Sequence, residues 1–213
     1  MNMREVSIIQ LIILVMIFLV SKLLASFWFY QVFHIHVFGV MLQVTGSAFI
    51  GVASFVILDF ISQNYSRKIA GIILFMGILC DGLFSFGVYF IGNLYSNGGL
   101  NQNEIANSML LMEMGHKLYL LYLNGVIATL VTYISELVLF NVIIRKVNFF
   151  SIASFVSIFV VKSIHTMIVV SGTLHDQANV QALILGNIIV NSIFSVIYIL
   201  LTSFCSRFIK PDW

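Results

Sequence analysis

The chain reads as an all-α polytopic membrane domain with six transmembrane helices and both termini in the cytoplasm. Three observations predict this. Hydrophobic residues make up 61% of the 213 positions and charged residues 8%, and the mean hydropathy is +1.08, well outside the composition of water-soluble domains. Six apolar stretches reach the roughly 20 residues that a helix needs to cross the hydrocarbon layer. Positive charge then alternates from one connection to the next, and that sets the orientation.

The spans are 8–30, 37–61, 69–95, 118–144, 149–172 and 180–203, within a single membrane domain covering 1–213. The first follows Arg4 and could be taken for a signal peptide. It runs on past Lys22 to Tyr30 without a small-residue cleavage site, so it is read as a retained helix. The second closes on Asp59, near the cytoplasmic edge. A short polar bend with Arg67 and Lys68 follows, and the third begins at once, in TGSAFIGVASFVILDFISQNYSRKIA. The loop from Ser96 to Lys117 opens with turn residues and becomes apolar from Ile105. Met109, Leu110 and Met112 either lie along the outer surface as an interfacial helix or lengthen the fourth span. The fourth span ends at Arg145 and Lys146, and the tail after the sixth carries Arg207 and Lys210.

Arg4, Arg67, Lys68, Arg145, Lys146, Arg207 and Lys210 thus mark one side, out of ten basic residues in all, and only Lys117 opposes them. His34, His36, His116, His175 and Asp176 fall on the other side, as ordinary surface residues. Topologically, two sets of three helices would form an inverted pair, although the sequence shows no repeat. Basic residues at helix ends make no nucleic-acid patch. Cys80 and Cys205 are too far apart to indicate a disulfide framework or metal spacing. No HExxH, GxSxG or phosphate loop is present, so no enzyme, metal or cofactor is expected.

Charges near the bilayer centre cost about 2.5–3.5 kcal/mol on the insertion scale and normally face a partner or a wet cavity. Lys22, Asp81, Glu136, Lys162 and His165 are the candidates. Helical register adds polar stripes: Gln43, Ser47, Gly51 and Ser54 in the second span, and Gly77, Asp81, Ser85 and Tyr89 in the third. The fifth carries Ser151, Ser154, Lys162, His165 and Thr166. The sixth carries Asn187, Asn191, Ser195, Tyr198 and Thr202. Together these stripes can line a hydrated pocket. Small and polar stripes are equally how membrane helices pack on one another, Lys22 can snorkel outward, and Asp81 or Glu136 can pair with a lysine. Lys162 and His165, three residues apart at mid-membrane, most need a polar neighbourhood.

The Asp59, Ser62, Tyr65, Arg67, Lys68 and Ala70 pattern resembles the queuosine precursor transporters, also described as a vitamin uptake group. VSKLLAS in the first span, VIATLVTYISELVLFNVIIRK in the fourth and SIASFVSIFVVKSIHTMIVVSG in the fifth are similar to family elements as well. There are departures: Gln63 or Asn64 replaces an acid, Ser66 a glycine, His165 an acid and Asn191 a lysine. The resemblance implies a six-helix, multi-pass protein of a bacterial inner membrane. It implies a secondary transporter importing a purine-like 7-deazaguanine, in contact with small-molecule substrate and lipid but with no nucleic acid. Lys22, Asp81, Glu136, Lys162, His165, Asn187 and Asn191 are then the substrate-binding candidates. Asn187, Asn191 and Glu136 would meet a base edge, and Phe86, Tyr89 or Phe155 its face. Lys162, His165 and Asp81 would tune charge or carry a proton. Asp59, Tyr65 and Arg67 are structural or gating candidates. A substrate-binding subunit with separate energising partners, or a scaffold whose stripes only pack helices, are the alternatives.

Overall fold

The computed structural model describes residues 3–37, 39–95, 102–174 and 179–205. Six helices and one hairpin follow in order: α1 (Met3–Trp28), β1 (Val32–Val37), β2 (Val40–Thr45), α2 (Ser47–Asn64), α3 (Arg67–Tyr95), α4 (Gln102–Val147), α5 (Phe150–Thr173) and α6 (Val180–Cys205). Each helix contains a stretch long and apolar enough to cross a membrane. His175, Asp176, Arg207 and Lys210 lie outside the described residues.

Contacts give the directions. Phe18 meets Gly77 and Lys22 meets Asp81, so α1 and α3 run parallel. Ser151 meets Ser203 and Thr166 meets Asn191, so α5 and α6 run antiparallel. Phe60 of α2 and Phe140 of α4 both meet Phe150 at the start of α5, so the bends around Arg67 and Arg145 lie together at a basic end, and the hairpin lies at the other. The helix α2 is the axis of the bundle. Of its apolar window 72% is buried, against 17% for α1. Val52, Phe55, Val56, Leu58 and Ile61 are almost wholly enclosed, while Ile8, Ile12 and Met16 of α1 point outward, as lipid-facing residues do.

The second span begins at Ser47 and not at Val37, because residues 32–45 form an antiparallel hairpin. The sequence explains it. Val32, His34 and His36 alternate with Phe33, Ile35 and Val37, a period of two. Gly39 supplies a φ of +81° at the turn, open to glycine without strain. His34 and His36 thus sit on a strand opposite Gln43 and Met41. Irregular or extended backbone near membrane depth must lie against protein. Here Leu42 and Val44 pack against Val190 of α6 and Ala48 of α2.

The loop expected from Ser96 to Lys117 is largely helix: Gln102 to Lys117 belongs to α4. At 46 residues and 1.5 Å per residue, α4 is about 69 Å long, more than twice the roughly 30 Å hydrocarbon layer. Of the two readings of Met109, Leu110 and Met112, they extend the fourth helix. The end of α3 runs beside this extension. A Cβ on Gly92 or Gly115 would come within 2.8 Å of Met112 or 2.6 Å of Tyr89 backbone, so glycine is what lets the two helices meet. Lys117 lies 2.6 Å from Glu113 on the extension and holds that carboxyl below its usual range.

With Cys80 and Cys205 replaced by serine, Asn107→Cys should react readily with a water-soluble maleimide. Val131→Cys, on the exposed apolar face of the same helix, should stay unlabelled until detergent is added. Equal labelling of the two would show that the extension does not leave the membrane.

Candidate functional site

Between the hairpin and the middle of the bundle lies a cavity of about 100 Å³, bordered by all six helices and the end of β2. That is room for several waters or one compact ligand. Of the polar stripes, Ser47, Gly51 and Ser54 reach it from α2, Asp81 and Ser85 from α3, Lys162, His165 and Thr166 from α5, and Asn187 and Asn191 from α6. The expectation of a shared polar pocket is met by these four helices.

Lys22 does not snorkel. It is 8% exposed, and its Nζ lies 3.0 Å from Asp81 Oδ2 across α1 and α3. The second oxygen of Asp81, Oδ1, is buried and has no partner among the described residues. Lys162 differs: among the described residues no carboxylate pairs with it. Its ammonium sits 5.0 Å above the Phe55 ring, where the negative face of the ring attracts it. The His165 ring meets Phe55 edge-on, with centroids 6.5 Å apart. Two lysines and a single aspartate thus border the same cavity.

Asn187 borders the cavity, but its bonds are spent on the fold. Its Oδ1 accepts from the Thr45 amide at 3.0 Å and from Thr45 Oγ1 at 2.9 Å, and its Nδ2 donates to the Leu183 carbonyl. It clamps the hairpin to α6. Asn191 is the asparagine with spare capacity: Nδ2 donates to Thr166 Oγ1 at 3.3 Å, and buried Oδ1 has no partner among the described residues.

Two expected site residues lie elsewhere. Glu136 and Asp59 are fully buried and do not border the cavity. Asp59 is accordingly not an edge anchor. Both lie further toward the basic end, behind the wall that Phe55 and Tyr133 make. Those rings stack at 4.1 Å and 5°, and the Tyr133 hydroxyl pairs with Ser54 Oγ at 2.7 Å. Tyr65 follows the end of α2 as its C-cap, and Arg67 opens α3 exposed, far from the cavity. The expected stacking residues Phe86, Tyr89 and Phe155 do not border it either, and Phe86 is 56% exposed on the outer face.

The aromatic surfaces are instead Phe29, Phe55, Tyr122 and Tyr133. A signal for the α4 pair was present. Tyr122, Gly125, Val126, Thr129 and Tyr133 recur at helical spacing, a stripe as regular as those on α3 and α6. Thr45 gave no comparable signal, because its place depends on the hairpin.

No protein-family model, curated protein or solved structure matches the chain.

Proposed function

We propose that this chain is a multi-pass carrier for a small planar heterocycle. The purine-like class implied by its resemblance to queuosine precursor transporters is the leading substrate, moved across a bacterial inner membrane with the basic end in the cytoplasm. The observation that carries the reading is Lys162, which has no carboxylate partner among the described residues and is held over an aromatic ring at the edge of the cavity. A charge is costly there unless something else solvates it. An electron-rich ring edge, such as a carbonyl or a deprotonated ring nitrogen, supplies that partner. Free acceptors at Asp81 Oδ1 and Asn191 Oδ1 suit ring N–H or amino groups on another edge. Phe29 and Tyr122 offer further aromatic surface. Two lysines against one aspartate favour a neutral or anionic heterocycle over a cationic one.

Purified protein in detergent, heated with deazaguanines, nucleobases and vitamins, tests this. A true ligand at 100 times its Kd should stabilise by about 2.7 kcal/mol. Losing a hydrogen bond to a charged group removes about 1.5–3 kcal/mol of affinity, roughly ten- to hundredfold or slightly more. Lys162→Met should therefore melt at the same or a higher temperature without ligand, since a buried lone charge is gone, yet lose most of the ligand shift. An undiminished shift in Lys162→Met would sink the site assignment. Binding without uptake into liposomes would place the chain among substrate-binding subunits. No shift with any compound would favour a scaffold.

A further inference from the structure

Toward the basic end from the cavity, two carboxyl groups meet in a sealed compartment. Asp59 of α2 and Glu136 of α4 are each 0% exposed and lie within hydrogen-bonding reach of one another. Two serines one turn apart on α5 hold them. Ser154 Oγ donates to Asp59 Oδ2 at 2.5 Å, and Ser157 Oγ donates to Glu136 Oε1 at 2.7 Å. The remaining oxygens, Asp59 Oδ1 and Glu136 Oε2, are buried without a donor among the described residues.

Aromatic layers close both sides. The Phe55–Tyr133 stack separates the pair from the cavity. Toward the basic end, Phe150 lies edge-on to Phe60 and to Phe140, and Phe60 and Phe140 are almost wholly buried. Among the described residues no cation forms an ion pair with either acid. On the cavity side the nearest ionisable groups are Tyr133 of α4, Lys162 and His165 of α5, and the paired Lys22 of α1 and Asp81 of α3. Tyr198 of α6 is committed to the Phe49 carbonyl. Arg67, Lys68, Arg145 and Lys146 are exposed beyond the phenylalanine layer.

We propose that Asp59 and Glu136 form an intramembrane proton site, in which a proton taken from water is held between Asp59 Oδ1 and Glu136 Oε2. Two adjoining carboxylates in a dry site cannot both keep a negative charge, and each already accepts a serine hydroxyl on its other oxygen. A shared proton satisfies both orphaned oxygens at once. Tyr133 lies one turn from Glu136 on α4, and Phe55 one turn from Asp59 on α2. The same two helices thus shape the cavity wall and the acid pair. In the carrier proposed above, this pair is the group that takes up and returns a coupling proton. That role rests on the transport reading, whereas the bound proton does not.

Infrared spectroscopy of the full chain in lipid nanodiscs at neutral pH decides the matter without any substrate. The unmodified protein should show the carbonyl stretch of a protonated carboxylic acid, moved by carboxyl-¹³C labelling of aspartate or glutamate. Ser157→Ala, which removes one donor, should displace the band. Glu136→Gln and Asp59→Asn should each shift or weaken it, since burial still favours the neutral form of the acid that remains, and the double variant should abolish it. The labels act on unmutated protein, so the test holds even where a variant folds poorly. Absence of the band at neutral pH, or its survival in the double variant, would overturn the proposal. So would its disappearance in sodium chloride but not choline chloride, which would make the site one for a metal cation.

Discussion

Asp81→Ala should destabilise the protein by about 3–5 kcal/mol, the cost of leaving a buried charge without its partner. The charge left behind is Lys22, whose side chain is 9% exposed in the pair and which sits well inside α1. Its stem passes beside Gly77 of α3, and the cavity it borders offers it far less solvation than bulk water. Replacing both partners by residues of similar size, Lys22→Met with Asp81→Leu, should recover most of the loss, because a buried ion pair and an apolar pair of the same volume differ little in net stability. Unfolding in a denaturing detergent, monitored by tryptophan fluorescence, measures both variants. A single variant as stable as the wild type would mean that Lys22 finds solvent after all. The double variant should also bind ligand more weakly, since Asp81 borders the cavity with one carboxylate oxygen unpaired among the described residues.

Gly186→Ala should cost about 1–3 kcal/mol or somewhat more, the range for an added methyl in a close-packed site. A Cβ there would overlap the backbone carbonyl of Gln43 and press on Val44, and neither can swing aside as a flexible side chain would. The hairpin would lift from α6 and strain the bonds from Thr45 to Asn187 next door. Ligand affinity should therefore fall together with stability. Gly172→Ala is the matched control. It sits near the end of α5 with nothing within 4 Å of the added carbon, and it should be neutral or slightly stabilising, as alanine outranks glycine in a helix. Equal losses in the two variants would show that the effect is one of helix propensity and not of the hairpin seat.

These two sites differ in how far the linear chain announces them. Lys22 and Asp81 stand out as charges inside apolar runs, which is costly enough to be conspicuous. That an acid pairs with a lysine is among the sequence readings, but which acid meets which lysine is not decided there, because α1 and α3 meet only after α2 has turned between them. Gly186 is one of 14 glycines and carries no mark of its own. The hairpin was legible in part. Its alternation and Gly39 are strand and turn signals, yet a run of apolar residues leading into a membrane span satisfies the hydropathy reading equally well. The length of α4 was obscured in a similar way, since the polar residues of 102–117 read as loop until α3 is seen running beside them.

Composition and span length were sufficient for the six-helix architecture, because the bilayer tolerates few alternatives to apolar helices of that length. Register was sufficient for most of the polar faces. Which polar groups share a chamber is a matter of the third dimension. Asp59 and Glu136 look like Asp81 in the sequence, yet an aromatic stack places them behind the cavity and beside each other. Lys22 and Lys162 look alike too, but one finds a carboxylate and the other only a ring. Burial cost is written in residue type, while the partner that offsets it comes from another helix far along the chain.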